Sequence, residues 1–74
     1  MSTKKELLAE NIVEICEREN IALVYFDGQM IPLTKATQHP EYPGLIIGEL
    51  KNEDPIMINL DAITAVVEKV RYNA

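Results

Sequence analysis

Residues 55–72 read PIMINLDAITAVVEKVRY, and the fold turns on how this run is cut. It is apolar and β-branched almost throughout, and it is interrupted once, at Asn59-Leu60-Asp61. Ile56, Ile58, Ile63, Thr64, Val66, Val67 and Val70 favour strands, because a branched Cβ packs well on a pleated surface. Asn59 and Asp61 favour a turn, because their side chains hydrogen-bond to their own backbone. This pattern predicts a strand over 55–59, a tight corner over 60–62 and another strand over 63–70. The alternative is a second helix with Asp61 as its N-cap.

Upstream, Thr3-Lys4-Lys5-Glu6 matches a capping box. Leu8, Ile12, Ile15 and Cys16, flanked by Ala9 and Val13, then recur at helical spacing, with Glu10, Glu14, Glu17 and Arg18 opposite. The pattern predicts an amphipathic helix of about four turns that ends near Asn20. Ile21–Phe26 is a short strand, and Asp27-Gly28 is a hairpin signal. Met30, Ile31 and Leu33 lead into a second strand. Pro32 assigns that strand to an edge or a bulge, since proline cannot donate to a ladder. QHPEYPG (38–44) is a loop whose one large side chain is Tyr42. Leu45–Leu50 is a third strand, and Lys51-Asn52-Glu53-Asp54 is a polar turn. The expected fold is mostly β: one helix, then five short antiparallel strands. Strands this short cannot hide their edges in a flat sheet, and closing into a small barrel removes the problem. The helix then covers one open end.

The chain has 74 residues and forms one domain. A chain of this size buries only ~60–65% of its unfolded surface, and ordering it costs on the order of 100 kcal/mol of conformational entropy. Apolar residues are 47% of the sequence, with one Phe and no Trp. Both facts point to association. The net charge of −5 argues against duplex DNA, which needs clustered Lys and Arg, and against an anionic membrane surface. A pocket for single-stranded bases is compatible with it. Cys16 is the lone cysteine, so there is no intrachain disulfide, and a small buried hydrophobe is its expected role. No signal-peptide or membrane-spanning run is present in the sequence, so a cytoplasmic protein is expected. With one His, one Cys, the single serine Ser2 and glycines scattered at 28, 44 and 48, catalysis has little support. No metal-ligand spacing occurs, and neither cofactor nor metal is expected.

The element order, with Asp27-Gly28 after the first strand and a tight corner between the last two, resembles the Sm-like barrels. In layout it is nearest the bacterial Hfq RNA chaperones, which also open with a helix. Gly28 matches the glycine of the first Sm motif. Leu33, His39 and Tyr42-Pro43 stand where that motif has a second Gly, an Asp and a Met-Asn or aromatic element. Ala62-Ile63-Thr64 looks like the corresponding step of the bacterial family, while the corner Asn59-Leu60-Asp61 lacks its basic residue. The resemblance implies a small five-stranded antiparallel Sm-like barrel with an N-terminal helix. It also implies a homo-oligomeric ring, a hexamer or heptamer, that binds single-stranded RNA. The subunit interface then falls on Ile56, Met57, Ile58, Ile63, Ala65, Val66 and Val67. The RNA-binding rim falls on His39, Tyr42, Asn59 and Asp61.

Each rim residue also has a plainer reading. Tyr42 stacks a base or packs its ring on the barrel. His39 is a pH-sensitive contact or a solvent-exposed loop residue. Asn59 and Asp61 read a base or hold the turn. Lys4, Lys5 and Arg18 lie among Glu6, Glu10, Glu14 and Glu17, which suits a solvated face. Against the RNA reading stands a second one: a protein-interaction or structural oligomer without the RNA site. A plain α+β domain with a C-terminal helix is the third.

Overall fold

The computed structural model describes residues 3–71; Ser2 and Tyr72, both named in the sequence reading, lie outside that range. Helix α1 spans Lys4–Glu17, followed by β1 (Ile21–Phe26), β2 (Gln29–Leu33), β3 (Lys35–Gln38), β4 (Leu45–Glu49) and β5 (Pro55–Asn59). A 3-10 turn over Leu60–Ala62 then leads into β6 (Ile63–Lys69). The run that opened the sequence analysis is therefore two strands and a corner, and the helix from Asp61 does not form. Asn59 caps the corner: its Oδ1 accepts from the Asp61 N–H at 3.0 Å, so the local hydrogen bond outcompetes continuation of the strand. Thr3 caps α1 by accepting from the Glu6 N–H at 3.2 Å. Among the described residues, no helix is long and apolar enough to cross a membrane.

Among the described residues the strands number six, not five, and they form two three-stranded antiparallel sheets with no ladder closing them into a barrel. The first sheet has the order β2-β1-β6 and the second β3-β4-β5. The extra strand comes from Thr34, which splits the expected second strand. Its N–H donates to Glu49 O at 2.9 Å and its hydroxyl to the same oxygen at 3.2 Å. The chain therefore leaves β1 and turns onto β4. Residues 35–38 lack the apolar alternation that would mark them as a strand, so β3 was legible only through this pairing.

The two-residue hairpin forms as expected, with Asp27 (φ 51°) and Gly28 (φ 72°) both left-handed. Pro32 sits on β2, at the edge of the first sheet, where its missing N–H costs no ladder bond. Between β1 and β6 the register slips by one after Tyr25. Thr64 is the extra residue of that bulge, and its hydroxyl donates to Tyr25 O at 3.1 Å.

The core lies between the sheets and under α1. It comprises Ala9, Ile12 and Ile15 from the helix, Ala22, Val24, Leu33 and Ile63 from the first sheet, Ala36, Ile46 and Ile58 from the second, and Leu60 from the corner. Cys16 packs against it half-buried, with its thiol 3.7 Å from Leu33 O, and burial pushes its pKa up. The helix C-terminus is tied to β6. Arg18 Nε and Nη2 donate to the two oxygens of Glu68 at 3.0 Å each, and Asn20 Nδ2 donates to Oε2 at 2.7 Å. These bonds, Arg18 first, hold the Glu68 carboxyl below its ordinary range.

Candidate functional site

The loop 39–44 and the corner 59–62 are far apart in sequence and meet at one end of the second sheet. Asn59 is opposite Leu45 in the β4–β5 register, and the Leu60 N–H donates to Gly44 O at 2.9 Å. The loop that carries His39 and Tyr42 and the corner that carries Asn59 and Asp61 thus lie at the same end of the second sheet.

His39 organises the loop. Its Nδ1 accepts from the backbone N–H groups of both Glu41 and Tyr42, each at 3.1 Å. An accepting Nδ1 carries no proton, so the neutral ring must hold its hydrogen on Nε2. The Tyr42 ring lies 5.1 Å from that of His39, tilted by 56°, within the range for an edge-to-face pair. Tyr42 is 59% exposed, so much of its ring is open to a stacking partner.

The corner is partly engaged. Asn59 Oδ1 is used by its cap, and no bond to its Nδ2 occurs among the described residues. Asp61 Oδ2 lies 3.1 Å from Lys5 Nζ, so α1 brings a cation to a corner that has none of its own. No pattern in the sequence connects Lys5 with Asp61. Both groups are well exposed, and a pair of this kind is worth no more than ~1 kcal/mol, so a ligand can displace it.

The assembly candidates divide by what they present. The Leu60–Gly44 and Leu50–Asp54 bonds fix which β5 residues face β4. Bonded pairs alternate along an antiparallel ladder, so Ile56 and Ile58 bond toward β4, while Pro55, Met57 and Asn59 turn their backbone groups outward. On the other sheet, the two-residue hairpin makes Phe26 and Gln29 a bonded pair. Leu23 and Tyr25 therefore bond toward β6, and Val66 and Glu68 turn theirs outward. The side chains of Ile58 and Ile63 are buried in the core, and the backbone groups of Ile58 are spent on β4 as well, so Ile58 does not reach the open edge. Met57, by contrast, is 55% exposed. Ala65 and Val67 point out of the sheet rather than along its edge.

Among the described residues, no cluster of three or more His, Cys, Asp or Glu side chains could hold a metal ion. The chain matches no protein-family model, no curated protein and no solved structure.

Proposed function

We propose that this chain is an Sm-like subunit that assembles edge to edge into a homo-oligomeric ring and binds single-stranded RNA on its rim without catalysing a reaction. One observation carries the reading. The strands follow one another in space as β6-β1-β2, then through Thr34 to β3-β4-β5. Counting β2 and β3 as one strand bent at Thr34 would make that path a five-stranded antiparallel ribbon with its central strand bent, the layout of an Sm-like barrel. It leaves β5 and β6, neighbours in sequence, at opposite ends of the ribbon with one unpaired edge each. An unpaired β5 edge in one copy and an unpaired β6 edge in the next are complementary, and closing a ring of six or seven removes every such edge. The rim then holds one Tyr42 ring and one Asn59 amide per subunit, a stacking group beside a base-reading group.

A non-RNA oligomer is the second reading, favoured by two observations: the net charge of −5 and the engagement of Asp61 by Lys5. Light scattering on a sizing column tests the ring, with six or seven chains expected and a monomer sinking it. Anisotropy of short labelled homopolymer RNAs at low salt tests the ligand. No binding by ~100 μM would leave the structural oligomer as the reading, since even non-specific association is normally that tight.

A further inference from the structure

The outward face of the first sheet is apolar where a solvated face should be polar. Residues directly opposite in an antiparallel sheet share a face. Ala22 and Val24 face the core, so Leu23 and Tyr25 face out. Their partners complete two rows across all three strands: Met30–Tyr25–Ala65 and Pro32–Leu23–Val67. Met30 is 46% exposed and Val67 45%. At ~4.8 Å between strands and ~3.4 Å per residue, this surface spans roughly 200 Å² in projection, a contiguous apolar patch rather than single scattered residues.

We propose that this face binds the same face of a second copy, back to back, about a two-fold axis that crosses the strands. Charge selects both the occupant and the arrangement. The chain carries −5, so most encounters between copies repel, but these two rows hold no ionisable group except the phenol of Tyr25. At one end of the patch stands Lys69, opposite Ile21 and on the outward side. At the other end is the hairpin with Asp27. A two-fold axis across the strands lays each Lys69 end over the partner's Asp27 end and stacks Tyr25 on the partner's Leu23. A parallel stacking would set like charges together. The surface is small for a lone dimer, so the contact is weak between single chains and strengthened where several copies act together. It uses neither the strand edges nor the rim, and it stands whether or not the ring forms.

Sedimentation equilibrium on the full chain, from micromolar to millimolar concentration, tests it. The mass should double with concentration over that of the basic unit, whether that unit is one chain or a ring. Val67→Glu and Met30→Glu, both at exposed positions, should abolish the doubling while leaving the circular dichroism spectrum unchanged. Lys69→Glu should weaken it at least tenfold, and adding Asp27→Lys should restore it. In a mixture of light and heavy isotope-labelled chains, zero-length crosslinking should join Asp27 of one copy to Lys69 of the other. A constant unit mass across the range overturns the proposal, as does doubling that survives both glutamate variants. Met57→Pro, which alters only the β5 edge, should leave the doubling intact, so loss of the ring and loss of this contact read separately.

Discussion

Gly48 lies directly beneath the side chain of Leu33: a Cβ added at 48 would stand 2.8 Å from Leu33 Cδ2 and 2.9 Å from Cδ1. Gly48 belongs to the second sheet and Leu33 to the first, so this contact sets how closely the sheets approach. Leu33 is fully buried and has little room to yield. Gly48→Ala should destabilise the fold by ~1–3 kcal/mol through overpacking. Shortening Leu33 to Val in the same chain should recover part of that loss. Urea denaturation of the double-mutant cycle checks the coupling; strictly additive effects would mean that the sheets adjust elsewhere.

The clasp between α1 and β6 makes stability depend on pH. Glu68 accepts from Arg18 and Asn20, and these bonds lower its pKa in the folded state. In the unfolded chain it titrates near ~4.3. Below that value the unfolded state binds the proton first, so the clasp contributes fully above it and fades as pH falls through the lower folded value. Wild type should therefore lose more stability than Glu68→Gln between about pH 5 and pH 3. Melting temperatures across that range should converge on acidification, and parallel curves would remove Glu68 from the account.

The helix start should respond to its cap. Thr3→Ala removes the acceptor for the Glu6 N–H and should cost ~0.5–2 kcal/mol, while Thr3→Ser should retain most of it. Thermal unfolding followed by circular dichroism reads both variants.

Met57→Pro distinguishes an edge from a core. Its N–H faces away from β4, so proline there removes no bond within the chain but blocks a partner strand. Light scattering should show the proposed ring falling to single chains with the β spectrum retained. An intact ring after this change would show that β5 is not the contact.

Tyr42→Ala should weaken single-stranded RNA binding by ~1–3 kcal/mol, the worth of one base–aromatic stack, with no change in oligomer mass. Anisotropy titrations against wild type measure it. An affinity equal to wild type would leave Tyr42 as a partner of His39 alone.

Much of this architecture was legible from short-range chemistry. Thr3, Asp27-Gly28 and Asn59 each hydrogen-bond or bend within a few residues, so their turns could be read directly, and the strand 55–59 and corner 60–62 form where the sequence sets them. What escaped depends on distant pairing. β3 is a strand because it lies beside β4, and Thr34 bends the chain through the carbonyl of Glu49. At the candidate site, the loop and corner residues were identifiable as turn formers, but their meeting rests on the Leu60–Gly44 bond, and Lys5 reaches Asp61 from across the sequence. The apolar outward face was hidden for another reason. Leu23, Tyr25 and Val67 read as ordinary strand residues until the register shows which neighbours point inward.

The first sheet joins Ile21 to Lys69, with the entire second sheet in the chain between them. The two halves of the molecule therefore cannot form independently. The β1–β2 and β4–β5 hairpins are local and can close on a microsecond timescale. The β1–β6 ladder must wait for a long intervening segment to become compact, because closing it early fixes a large loop with little return. Until β6 docks, β1 has one bare side beside an apolar face. The step that completes the sheet is thus the one of longest sequence separation, and it covers the bare edge of β1 while adding Ala65 and Val67 to the outward apolar face.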